Sequence, residues 1–181
     1  MPGKYYGEFT VGETIEHDKR RTVTGADNQR FCDLTMNQQP LHLDAAYAAE
    51  TTFGERLVNG LYTMSLAVGL SIPDTTDGTI VANLSYGDVE HPNPVYHGDT
   101  ICAQSTVTDK RETSDGDRGV VTMHVEVFKL GDDADGGGAG GGDSTEARDG
   151  TSGDGDSESG EGETLVCSFD RTVLSLKAES A

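Results

Sequence analysis

The sequence predicts a single α+β domain in which an antiparallel sheet packs on one long central helix. Three observations lead there. The first half of the chain carries helix signals and one long apolar segment, Leu57 to Ile72. The second half changes to alternating apolar and polar residues, clearest over Val120 to Leu130 and Leu165 to Leu176. The length, 181 residues, suits one domain with a real core and is thin for two. Helices followed by a series of strands are the pattern of helices set against an antiparallel sheet.

Residues 5 to 24 alternate weakly and read as a lead-in with one short edge strand. Thr24, with Asp27 three residues later, reads as the N-cap of a helix from Gly25 to about Leu34, with Phe31 and Leu34 on its inner face. Leu34 to Asp44 follows as a loop rich in side-chain amides, holding Pro40 and His42. Asp44 caps a helix from Ala45 to about Thr52, and Gly54 supplies the break after it. The long segment then carries apolar residues around most of its circumference, which predicts a helix buried on nearly all sides. Pro73 to Gly78 ends it in a loop. Thr79 to Leu84 and Gly87 to His91 read as a strand or a bent pair, Pro92 to Asp99 as a turn-rich crossing, and Thr100 to Lys110 as the next strand. Residues 131–163 are almost wholly Gly, Asp, Glu, Ser, Thr and Ala, with Arg148 the single basic residue. Such a stretch cannot bury enough apolar surface to offset its chain entropy, so a disordered hairpin insertion without a functional role is expected there.

The formal net charge is -19, from 32 acidic residues against 13 Lys plus Arg, and about half of it lies in the insertion. An acidic surface repels phosphates and anionic lipid, so neither nucleic acid nor membrane is an expected partner. The even acidic coat with few lysines is what concentrated salt demands of a soluble protein; an acidic protein of ordinary salinity is the alternative. The first residues show no secretory apolar region, and the apolar segment is interrupted and too short to span a bilayer. Cys32, Cys102 and Cys167 are odd in number and far apart, which suggests free thiols in a reducing cytoplasm.

No GxxxxGK[ST], GxSxG or HExxH motif is present, and the five histidines have no metal-ligand spacing, so neither a metal nor a cofactor is expected. His42 follows the restraining ring of Pro40 and precedes a helix start. A histidine held in this way can move a proton near neutral pH, or it can simply brace the loop. Asn37 is close enough in sequence to share a cleft with it. His91 and His97 flank the proline crossing and either line a pocket or serve the turn, while His124 lies on the polar phase of its strand.

The stretch Thr35-Met36-Asn37-Gln38-Gln39-Pro40-Leu41-His42-Leu43-Asp44, followed by Tyr47-Ala48, resembles the Gly-Asp-x-Asn-Pro-(aliphatic)-His motif of MaoC-like (R)-specific enoyl-CoA hydratases. Leu57-Val58-Asn59-Gly60-Leu61 resembles the start of that family's central helix, and Pro94-Val95-Tyr96-His97-Gly98-Asp99 its Pro-Val-x-x-Gly-Asp stretch. Three motifs in order cover roughly residues 8 to 176 outside the insertion. The resemblance implies a hot-dog fold, pairing of subunits into a homodimer or higher homo-oligomer, an acyl-CoA thioester substrate and a hydro-lyase reaction. By position it makes His42 the general acid/base and the Gly60 amide the donor to the enolate oxygen. It also places Gln39, Pro40 and Asn59 against substrate.

One departure matters. The family's Asp is replaced by Asn37 and its Asn by Gln39, and an amide can orient water or a carbonyl but cannot take a proton at ordinary pH. The Asn-x-Gln-Pro-Leu-His variant is similar to a branch containing mesaconyl-CoA and itaconyl-CoA hydratases. The extra carboxylate of such substrates would need a cation, for which Arg56 or Arg30 are candidates. A thioesterase on the same fold and a catalytically silent acyl-CoA-binding subunit stay open beside the hydratase.

Overall fold

Among the described residues six strands form one antiparallel sheet, and one long helix lies across it in the hot-dog arrangement. The computed structural model describes residues 3–131 and 162–178. Strands β4 (Thr100–Glu112), β5 (Arg118–Leu130) and β6 (Glu163–Leu176) are neighbours, and β3 (Ile80–Glu90) forms the edge beyond β6. The lead-in supplies two short strands rather than one: β1 (Thr14–Glu16) and β2 (Arg21–Thr22) both pair with the free side of β4. The expected insertion, apart from Gly131, Gly162 and Glu163, lies outside the described residues. Its ends meet where the Gly131 N–H donates to the Gly162 carbonyl at 2.6 Å, and Glu163 already belongs to β6.

Alternation sets the buried face. Ile101, Ala103 and Val107 of β4 and Val121, Met123, Val125 and Val127 of β5 are buried, while His124 between them is half-exposed and bonds Asp170 at 2.8 Å. Against this face lies α4 (Gly60–Thr75), which shares a core with Val23, Val58, Ile101, Val125, Val127 and Phe169. Asn59 is its N-cap, its side-chain oxygen accepting from the Leu61 N–H at 3.0 Å. The helix therefore starts at Gly60 rather than Leu57, because Leu57 and Val58 are drawn into extended pairing with Tyr96 and Val95. It also continues through Pro73, which sits in the last turn, where the missing N–H costs a single bond.

The expected burial of α4 on nearly all sides is corrected by the structure. Thr63, Ala67, Leu70, Ser71 and Thr75 are buried, but Leu61 is 58% and Ile72 39% exposed. In a single chain the sheet covers only one side of the helix.

The first helix, α1 (Gly25–Thr35), has the expected Thr24–Asp27 capping box. Its buried residues are Asn28 and Cys32, one turn apart; Phe31 is half-buried with its ring edge-on to Tyr62 at 5.5 Å, but Leu34 is 85% exposed, which corrects its expected inward place. The loop after it folds into a one-turn helix, α2 (Pro40–Leu43), with Pro40 at its first position, followed by α3 (Ala45–Ala49). Asp44 caps α3 through bonds from the Ala46 and Tyr47 N–H groups at 2.9 and 3.1 Å. Strand β3 is one continuous element with three register shifts, the last of them between Gly87 and Glu90.

Candidate active site

A buried amide holds the site together. Asn28, 1% exposed, accepts the Asn59 N–H on its side-chain oxygen at 2.9 Å. That bond fixes which way the amide points. Its nitrogen then faces three acceptors: the His42 carbonyl at 3.2 Å, the Leu57 carbonyl at 3.3 Å and His97 Nε2 at 3.2 Å. One side chain thus joins α1 to α2, to the lead-in of α4 and to the proline crossing. An amide nitrogen can only donate, so His97 accepts through Nε2. Burial pulls the His97 pKa below its ordinary value, and the nearby Arg56 charge adds to this against Glu55, which suits a neutral accepting ring.

His42 is fixed by the same segment. Its Nδ1 lies 3.0 Å from the Leu57 carbonyl oxygen, which can only accept. The proton of the neutral ring is therefore on Nδ1, and Nε2 carries a free lone pair. Among the described residues Nε2 has no partner. This is the form a general base requires.

His42 lines a cavity of about 450 Å³ together with Phe53, Gly60, Thr63, His91 and Val166, among others. Gly60 is the first residue of α4, and its N–H has no acceptor among the described residues. Unpaired amides and the helix dipole favour negative charge at this point. There is almost no free space above Gly60: a Cβ added there would lie 3.0 Å from His91 Cε1 and Nε2. The cavity thus brings together an imidazole with a free lone pair, a second imidazole and a backbone donor at a helix N-terminus. That set can move a proton at one atom and hold a developing oxyanion at another.

The other expected site residues lie elsewhere. Asn37 is half-buried with its N–H on the Cys32 carbonyl at 3.0 Å, and it does not line the cavity. Gln39 and Pro40 are exposed and start α2, where the Gln39 carbonyl accepts the His42 N–H. Asn59 is 3% exposed; its Nδ2 is buried against the Cys32 thiol, whose pKa burial raises. Arg56 is half-buried near His97 and Gly25, outside the cavity wall, and Arg30 is exposed. Two residues that sequence reasoning did not assign complete the site: Asn28, whose one signal was its spacing of four from Cys32, and His91, whose signal was its place beside Pro92.

Among the described residues no group of three His, Cys, Asp or Glu is placed to hold a metal ion. No described helix is long and apolar enough to cross a membrane.

A family model described as "MaoC like domain" matches residues 8–128. Over 126 residues the chain is 32% identical to a mesaconyl-CoA hydratase of Cereibacter sphaeroides, which covers 70% of this chain and 35% of that protein. It is also 32% identical over 124 residues to an (R)-specific enoyl-CoA hydratase of Aeromonas caviae, covering 67% of this chain and 84% of that one. The chain spans about a third of the length of the curated mesaconyl-CoA hydratase and of other long relatives it matches. Among solved structures, one titled monoamine oxidase regulatory protein from Archaeoglobus superposes with a TM-score of 0.72 at 26% identity, covering 98% of this chain and 97% of that one.

Proposed function

The chain belongs to the MaoC-like dehydratase family, and from that premise we propose that it adds water to, or removes it from, the double bond of an enoyl-CoA thioester. The observation that carries this reading is the shared cavity of His42 and Gly60. In the hydration direction, the lone pair on His42 Nε2 accepts a proton from water as the water oxygen bonds to the β-carbon. The double-bond electrons move toward the thioester oxygen, where the Gly60 N–H and the helix terminus stabilise the negative charge. The enolate then collapses as its α-carbon takes a proton, which completes the addition of water; dehydration reverses these steps. Asn37, off the cavity wall, takes no proton.

A branched dicarboxylic acyl group such as mesaconyl is the finer proposal. Its support is the mesaconyl-CoA hydratase similarity; Arg56, the cation expected to meet the second carboxylate, lies outside the cavity wall. A homodimer is proposed on two exposed apolar surfaces of one chain. Edge strand β3 exposes Val81, Leu84, Tyr86 and Val89, and α4 exposes Leu61 and Ile72. The excess of 32 acidic over 13 basic residues supports work in a salt-rich cytoplasm.

The experiment follows two signals at once in concentrated salt, with crotonyl-CoA and mesaconyl-CoA as probes. Loss of enoyl absorbance without free thiol is the expected result, and it should be faster with mesaconyl-CoA. Thiol release would make the protein a thioesterase. Binding with neither signal would make it the silent acyl-CoA-binding subunit that Asn37 favours.

A further inference from the structure

Hydration of an enoyl thioester needs two proton transfers, one from water and one to the α-carbon. His42 offers one lone pair, and its other nitrogen is tied to the Leu57 carbonyl. Asn37 has no carboxylate and does not line the cavity. Among the described residues, the only other titratable side chain in the cavity wall is His91. Asp88 and Glu90, at the end of β3, precede it in the chain.

The chain around His91 is built to hold that ring at the helix start. Asp88 has φ +48°, a left-handed conformation that non-glycine residues seldom adopt, and it falls within the register shift between Gly87 and Glu90. Bulges of this kind re-aim the end of a strand. Beyond His91, Pro92 and Pro94 restrict the backbone, and the Asn93 side chain donates to the Leu165 carbonyl of β6 at 2.8 Å. Val95 then takes the Val58 N–H at 2.9 Å, two residues before Gly60. The ring is set against Gly60, yet among the described residues neither of its nitrogens has a hydrogen-bond partner, and the residue is open to solvent. Both ring nitrogens are thus uncommitted within the protein and beside the start of the helix.

We propose that His91 is the second proton-transfer group of this site, standing in for the carboxylate that Asn37 lacks. The inference rests on the hydratase reading above. As His42 Nε2 takes the water proton and the oxygen bonds to the β-carbon, the double-bond pair passes to the thioester enolate held by the Gly60 N–H. The enolate then collapses, its α-carbon taking the proton of the His91 imidazolium. His91 ends as neutral imidazole and His42 as imidazolium. His42 then releases one proton to solvent and His91 takes one up, so one water has been added and the site is restored.

The test compares the wild type with His91→Gln and His91→Ala on crotonyl-CoA across pH 5 to 10. His91→Gln should lower kcat about a hundredfold with KM within a few-fold. It should also remove the alkaline limb of the kcat profile, where His91 must be protonated, and keep the acid limb, where His42 must be neutral. Added imidazole should restore part of the turnover of His91→Ala. A kcat within threefold of wild type, or a loss confined to KM with both limbs intact, would overturn the assignment while leaving the hydratase reading standing. A wild type that hydrates neither crotonyl-CoA nor mesaconyl-CoA would remove that reading, and the inference with it.

Discussion

His17 uses both of its ring nitrogens within the protein. Nδ1 lies 3.1 Å from Asp74 Oδ2, and Nε2 lies 2.9 Å from Ser105 Oγ. His42 uses one, on the Leu57 carbonyl. The first arrangement, carboxylate to imidazole to serine, has the order of contacts of a nucleophilic triad. Ser105 is only 1% exposed, however, and no substrate carbonyl can reach its oxygen. The contacts of His17 bind β4 to the end of α4 and leave no lone pair available. Those of His42 fix a tautomer and leave one lone pair uncommitted on a residue that lines a cavity. The difference between a histidine that only braces the fold and one free to react is here one uncommitted nitrogen.

Substitution at each histidine should separate the two roles. His42→Ala should lower turnover on the enoyl probe about a thousandfold while the thermal midpoint stays within a few degrees. A variant that lost its fold instead would put His42 in the same class as His17. Asn28→Ala tests what holds His42 in place. It strips the partner from the Asn59 N–H, the His42 carbonyl and His97 Nε2, and leaves the Leu57 carbonyl with His42 Nδ1 alone. Buried groups left unpaired cost about 1–3 kcal/mol each, partly relieved by water, so urea unfolding should show a loss of about 3 kcal/mol. Turnover should fall about tenfold, because Leu57 no longer sets the ring of His42. Full activity in this variant would mean that α2 positions His42 without help from α1.

What could be read from the sequence was local. The Thr24–Asp27 box and the Asp44 cap act over two or three residues and were readable as written. Strands β5 and β6 declared themselves by alternation. His42 and Gly60 were reached from residue type and motif position, and the cavity contains both. Asn28 escaped because its bonds span 14, 29, 31 and 69 residues. Helical spacing says which residues share a face, not which face docks: Phe31 meets Tyr62, Leu34 one turn on is exposed, and Asn28 and Cys32 are the buried pair. The one-sided burial of α4 is of the same kind: apolar residues all round say nothing of how many sides one chain can cover. His91 depended on a bulge, and a register shift leaves little trace in composition.

The smallest effect expected is also the cleanest check on His17, because it separates the two histidines by pH rather than by rate. Burial pulls the His17 pKa below its ordinary 6.5; the Asp74 contact opposes this, and the charge of Arg171 adds to it. Above pH 6.5 the ring is neutral in both folded and unfolded chains and adds no slope to stability. As pH falls below 6.5 the unfolded chain takes up a proton that the native ring resists, so the native state loses stability until the folded pKa is reached. Carboxylates such as Glu13 and Asp27, held below 4.5 and 3.8, act only in more acid solution. His17→Gln should therefore be less stable than wild type at pH 7.5, with unchanged turnover. The stability gap between the two should narrow as pH is lowered from 6.5 to 5, measured by urea unfolding at fixed salt. A gap that widened with acid would mean that the Asp74 contact, not burial, governs His17, and that the ring is charged in the native protein.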